Sequence, residues 1–186
     1  MKTLLPKGNL WDVDPGPECP AAVRMVVEIG KNSSNKYEYD PELGVFRLDR
    51  VLYSPMHFPG DYGFIPGTIA DDDEPIDVLT LVDEPSFPGC VFQVRPVGML
   101  DMLEESAYDH KILAVPVSSP RFKEVQRLGD TREHIRIEVQ HFFEIYKELE
   151  GNAVEWKGWK DVDDAQAAIR QSRERYLNSG KTRASA

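Results

Sequence analysis

Only two cysteines and four histidines occur among the 186 residues. Cys19 and Cys90 have no metal-ligand spacing and make no disulfide framework. One bridge between them stays open, and two free thiols in a reducing compartment are the expected state. No stretch approaches the ~20 apolar residues of a membrane-spanning helix, and Met1–Lys7 lacks the apolar core of a secretory signal. The chain therefore reads as cytoplasmic, without a membrane partner. A basic surplus is missing too: 22 Lys and Arg stand against 32 Asp and Glu, for a net charge of -10. That balance argues against nucleic acid or an anionic membrane as partner. An anionic substrate remains compatible, provided that metal ions and a few focused cations supply local positive charge. There is no internal repeat and no linker. At this length the expectation is one domain spanning 1–186, with an extended lead-in over 1–20 and a frayed tail over 179–186.

What the chain does have is acid in one place. Asp71-Asp72-Asp73-Glu74-Pro75-Ile76-Asp77 puts five carboxylates in seven positions and leads at once into Val78-Leu79-Thr80-Leu81-Val82. Neighbouring carboxylates repel. A solvated turn tolerates such a run, whereas a divalent-cation site needs one, because hard cations take oxygen ligands. Charge alone leaves both readings open. Pro75 fixes φ and pre-orders the backbone. A calcium loop of the EF-hand type is rejected, since counting from Asp71 or Asp73 puts no Gly at the sixth position.

Strand patterns cover Met25–Ile29, Lys36–Tyr39, Val45–Val51, Val78–Val82, Val91–Leu100 and Lys111–Pro116. The second and third form a hairpin through Pro41–Gly44, and Pro88-Gly89 is a turn. Ser54–Gly67, rich in Pro, Gly and aromatics, reads as loop. Ile135, Val139, Phe142, Phe143, Tyr146 and Leu149 then recur at helical spacing, predicting a helix over His134–Glu150. A second helix is predicted from near Asp161, where Asp161, Asp163 and Asp164 can cap it, to about Tyr176. Strands followed by helices predict a mainly-β or α+β domain, a small barrel with helices packed on it.

Around the acidic run the sequence becomes specific. Phe58-Pro59-Gly60-Asp61-Tyr62-Gly63-Phe64-Ile65-Pro66 precedes it; Arg95-Pro96-Val97-Gly98, Glu104–Lys111 and His141-Phe142-Phe143-Glu144-Ile145-Tyr146-Lys147 follow. In this order and spacing, from about Val23 to the second helix, the chain resembles the soluble family I inorganic pyrophosphatases. The resemblance implies a five-stranded OB-like closed barrel with two flanking C-terminal helices. It also implies hydrolysis of pyrophosphate to two phosphates with several Mg²⁺ ions, Mn²⁺ and Zn²⁺ being candidate substitutes, and a homohexamer.

Carried over position by position, the resemblance makes Asp72, Glu74, Asp77, Glu104 and Asp109 metal ligands, with Glu74, Asp72 and Asp77 at the catalytic centre. Lys36, Arg50, Lys111 and Lys147, with the hydroxyls of Tyr62 and Tyr146, would bind phosphate oxygens. Glu28 and Glu38 would support the metals as outer acids. The chemistry is coherent with these residue types: pyrophosphate repels its water nucleophile, and paired metals neutralise charge and activate water. Each has a plainer rival reading. Lys36 and Arg50 could be solvated surface groups, Tyr146 core and Glu28 an outward strand residue. His57 reads as a loop residue and His141 as a packing or subunit-contact residue.

Three positions depart from the family pattern. Glu74 stands where the signature Asp, any residue, Asp, Pro, any residue, Asp has its middle Asp; Glu104 replaces another Asp; Phe58 replaces a phosphate-contacting Tyr. Asp to Glu keeps the charge and moves the carboxylate by roughly 1.5 Å, and a misplacement of about that size can change a rate on the order of a hundredfold. A working enzyme and a non-catalytic homologue that binds pyrophosphate or metal therefore both stay open. An OB-type nucleic-acid binder is disfavoured by the acidic balance.

Overall fold

A computed structural model describes residues 8–104, 107–151 and 154–180. Among the described residues there are eight strands: β1 (Val23–Ile29), β2 (Asn35–Asp40), β3 (Val45–Val51), β4 (Asp61–Phe64), β5 (Asp77–Thr80), β6 (Val91–Glu104), β7 (Ala107–Pro116) and β8 (Val154–Asp161). Two helices accompany them, α1 (Glu133–Ile145) and α2 (Val162–Asn178).

The main sheet runs β1-β4-β5-β7-β6-β8, and β1 also pairs with β6. That extra pairing closes the ring β1-β4-β5-β7-β6 into the expected five-stranded barrel. β2 and β3 form a separate hairpin beside it. Within the ring β5 and β7 are parallel, with Asp77 opposite Lys111 and Leu79 opposite Leu113. Both faces of the Val78–Leu79 and Ile112–Val115 stretches are covered, so these parts of the two strands run apolar rather than alternating, while Asp77 and Lys111 stand at the ends of those stretches. Val78, Ile112 and Ala114 join Ala165 and Ile169 of α2 in one cluster. Their neighbours Leu79, Leu113 and Val115 join Val139, Phe142 and Phe143 of α1 in another.

Two strands lie where none was expected. β4 falls inside the segment read as loop. Its four residues include Gly63, where a Cβ would overlap the Val26 carbonyl oxygen, so the close β1–β4 approach requires glycine. β8 continues the sheet from β6, after the first helix has ended earlier than predicted. α1 stops at Ile145, Tyr146 is its C-cap, and Lys147 leaves helical geometry at φ -102°, ψ 0°. A short 3-10 turn, Glu148–Glu150, accounts for the rest of the predicted span. The second helix agrees with its prediction: Asp161 caps it by accepting from the Val162 amide at 2.8 Å.

The described part of the lead-in is anchored to the body of the fold and carries a short 3-10 turn, Leu10–Asp12. The Trp11 carbonyl accepts from Gly67 N at 2.6 Å, and Tyr176 donates to Asp12 at 2.8 Å. Cys19 and Cys90 are both free thiols. Of the tail read as frayed, 181–186 lies outside the described residues. No described helix is long and apolar enough to cross a membrane.

Candidate active site

A cavity of about 490 Å³ opens between the barrel, the β2–β3 hairpin and the end of α1. Asp77 enters it as the first residue of β5, directly across the ladder from Lys111. Lys111 is buried and its ammonium contacts both carboxylates beside it, Asp77 and, at 2.6 Å, Asp109. The Tyr62 hydroxyl donates to Asp77 at 2.6 Å, and the Lys111 ammonium lies 5.8 Å from the centre of the Tyr62 ring. Burial alone would lower the Lys111 pKa, but Asp77, Tyr62 and Asp109 outweigh it and hold the ammonium charged. Burial would likewise raise Asp109, yet Lys111 brings it below its usual value. Tyr62 is pushed well up, first by burial and then by Asp77, so its hydroxyl stays a donor.

The acidic run forms the facing wall. Asp72 and Glu74 both line the cavity, and Asp72 accepts from the Glu74 amide at 3.1 Å. Burial raises the pKa of each; repulsion from Asp77 adds to both, and Asp72 adds further to Glu74. Glu28 reaches the same space because β1 carries a bulge against β4 between Val27 and Ile29, which re-aims the intervening side chain. It accepts from Tyr39 N at 2.8 Å. Its pKa is pushed up to about 8, chiefly by burial, with Asp77 and Glu38 adding to the rise against the Tyr39 amide and Lys36.

Lys36 and Glu38, two apart on β2, both face the cavity and pair with each other. Lys36 also lies 3.4 Å from Asp49; these acids outweigh its burial and raise its pKa. Tyr146 and Lys147 line the cavity from the end of α1. Tyr146 is buried and stacks on Phe142 at 5.3 Å between ring centres. It serves the helix core and the cavity wall together.

Not every expected residue lines this space. Arg50 sits on β3 outside it, its guanidinium held by Asp49 and, at 2.9 Å, by Glu150. Phe58 is 1% exposed, packed against Tyr62 and Phe142, and lines a different cavity. Its backbone is in place, but its ring is core. The backbone of Glu104 ends β6, while its side chain lies outside the described residues. His141 is exposed on α1 and makes no core packing. Arg95, of the Arg95-Pro96-Val97-Gly98 tract, donates to the Phe122 and Val125 carbonyls at 2.8 and 2.9 Å, a structural tie.

Trp11, Tyr37, Tyr39 and Tyr108 line the cavity without having been singled out. Tyr37 and Tyr39 flank Glu38 on one strand and carried a local signal. Trp11 arrives from the lead-in and carried none.

Among the described residues no three carboxylates or histidines are already gathered as a cation cage. The donors nevertheless suit a hard divalent cation: all are carboxylates, and burial with mutual repulsion holds Asp72, Glu74 and Glu28 above their usual pKa values. A cation would relieve that repulsion, displacing protons or the Lys111 ammonium.

A closed barrel whose side gathers facing acids and lysines defines a class, that of sites suited to a polyanion handled with divalent cations. The comparisons narrow the class to one family. A family model described as inorganic pyrophosphatase matches residues 25–177. The inorganic pyrophosphatase of a Nostoc species is 46% identical over 157 residues, 84% of this chain and 93% of that one. That of Haloferax volcanii is 45% identical over 170 residues, 90% and 96% of the two chains. The crystal structure of the Thermus thermophilus inorganic pyrophosphatase superposes with a TM-score of 0.90 at 43% identity, covering 92% of this chain and all of that one. The chain belongs to the inorganic pyrophosphatase family.

Proposed function

We propose that this protein hydrolyses inorganic pyrophosphate to two orthophosphates with Mg²⁺ as its divalent cofactor. The observation that carries the reading is the opposition within one cavity of Asp72, Glu74, Asp77 and Asp109 to Lys36, Lys111 and Lys147. Family membership supports it, and no feature of the cavity favours the non-catalytic alternative.

In this reading Asp72, Glu74, Asp77, Glu104 and Asp109 hold the metals, with Glu28 and Glu38 behind them. When bound, Mg²⁺ supplies charge neutralisation at the phosphoryl oxygens and acidifies water. Lys36, Lys111 and Lys147 bind the phosphate oxygens, and Tyr62 and Tyr146 donate to them; Arg50 reaches them after release from Glu150. Glu74 orients the attacking water and takes its proton, a role suited to a carboxylate whose pKa burial and the neighbouring Asp72 hold above its usual value. Water oxygen bonds to phosphorus as the bridging P–O bond breaks, and the lysines meet the charge left on the departing phosphate. The same reading treats 1–186 as one catalytic domain, cytoplasmic and assembled as a homohexamer.

The test is phosphate release from pyrophosphate with Mg²⁺, Mn²⁺ or Zn²⁺, beside an Asp72→Asn control. Mg²⁺-dependent release well above the control is expected. Release no faster than the control would end the proposal. Calorimetric binding of pyrophosphate without turnover would install the non-catalytic reading in its place.

A further inference from the structure

The C-terminal half of α2 grips the acidic segment from outside the cavity. Ser172 O accepts from Ile69 N at 2.9 Å, Arg173 donates to the Gly67 carbonyl at 2.9 Å, and the Arg175 guanidinium contacts the Asp71 carboxylate. Ser172 and Arg175 also border a small cavity shared with Asp71 and Asp72. On its inner side the segment is braced by Thr68, which donates to Ile65 O at 2.5 Å and accepts from Ile76 N at 3.0 Å. Ala70 N to Glu74 O, at 2.7 Å, closes the turn between them.

Four successive acids, Asp71 to Glu74, occupy that turn, yet only Asp72 and Glu74 line the large cavity. We propose that Arg175 is a positioning residue for the metal-binding wall. By pairing with Asp71 on the helix, it removes that acid from the carboxylate set and fixes the turn that presents Asp72 and Glu74. The inference rests on the metal-dependent reading of the cavity. An exposed ion pair alone is worth ~0–1 kcal/mol; this one is added to two further anchors from the same turn of α2, the Ser172 carbonyl and the Arg173 guanidinium.

The sign of one effect separates this role from plain electrostatics. Removing a cation near a carboxylate site strengthens divalent-cation binding through space, whereas loosening the turn weakens it. A second rival is that Arg175 merely complements the C-terminal end of α2, in which case Asp71 is irrelevant.

The experiment uses the full chain, stripped with chelator and titrated with Mg²⁺ alone by calorimetry, with amide exchange across 69–76 followed in chelator. Arg175→Gln is expected to weaken Mg²⁺ binding roughly three- to tenfold and to speed exchange at the Ile69 and Glu74 amides. Asp71→Asn should do the same, the double variant should be no worse than either single one, and Arg175→Lys should recover part of the loss. Unchanged or tighter Mg²⁺ binding in Arg175→Gln, or additive single effects, would overturn the proposal. If the parent takes up no Mg²⁺, the metal reading of the cavity fails, and the proposed role falls if exchange at those amides is unchanged.

Discussion

Lys111 stands opposite Asp77 on the parallel β5–β7 ladder, and its ammonium bridges Asp77 and Asp109. In the absence of cations it neutralises two acids that would otherwise repel across the cavity. Removing one member of a buried pair leaves uncompensated charge and typically costs about 3 kcal/mol or more. Lys111→Met should therefore destabilise the chelated protein by about that amount in urea denaturation. Saturating Mg²⁺ should restore much of the loss, because a cation can take over the vacated role between the two carboxylates. Equal destabilisation with and without Mg²⁺ would show that Lys111 is purely structural.

Glu74 tests the site from its opposite wall. Its amide donates to Asp72 and its carbonyl accepts from Ala70, so its backbone is fixed while its side chain faces the cavity. Glu74→Gln keeps the length and removes the base; it should lower kcat by roughly 10²–10⁴ while Mg²⁺-dependent pyrophosphate binding persists. Glu74→Asp shortens the reach inside the same turn and should stay within about tenfold of the parent. Single-turnover phosphate release separates the two, and a Glu74→Gln variant at the parental rate would remove Glu74 from the chemistry.

Much of this site was legible because its residues are close in sequence or carry charge in an unusual density. The acidic run, the Asp109–Lys111 alternation and the Tyr146-Lys147 pair each point at the cavity within one short segment. β4 was hidden because Gly63 is selected by the approach of the Val26 carbonyl, a tertiary demand that mimics a loop signal. The periodicity of Leu149 extended the predicted helix past its real end at Ile145, and β8 fell in the gap between the two predicted helices. An alternation was present in β8, with Glu155 and Lys157 outward and Trp156 turned toward the core, but an edge strand that among the described residues pairs with β6 alone has a weak signature. Arg175 lies more than a hundred residues from Asp71, and no local pattern announces such a contact. The inward turn of the Phe58 ring was not legible for a related reason: a position in a motif does not say which way its side chain points.

Glu28 gives a pH dependence whose sign follows from its environment. Its ordinary pKa is 4.5 and its folded value is about 8. Between those limits the folded protein holds a proton that the unfolded chain has released. Folding stability contributed by this group therefore falls as pH rises from about 4.5 to about 8, with a slope of up to ~1.4 kcal/mol per pH unit. Glu28→Gln retains an oxygen to accept from Tyr39 N and removes the titration. In chelator, the variant should match the parent near pH 4.5 and become progressively more stable toward pH 8. A stability difference that does not vary with pH would contradict this assignment.

Asp73 offers the opposite kind of test, in backbone rather than charge. It sits at φ 67°, in the left-handed region, between the two acids that face the cavity. Aspartate tolerates that conformation better than most residues, but glycine enters it without steric cost. Glycine also removes one negative charge from a crowded turn. Both effects favour the folded state, against a larger entropy loss from the unfolded chain. Asp73→Gly should therefore raise stability by about 0.5–1 kcal/mol in chelator, read as a higher urea midpoint at unchanged slope. Asp73→Val should lower it, since a β-branched side chain is least compatible with positive φ. If valine were tolerated as well as glycine, the turn presenting Asp72 and Glu74 would be free to relax, and its fixed geometry could not be what orients them.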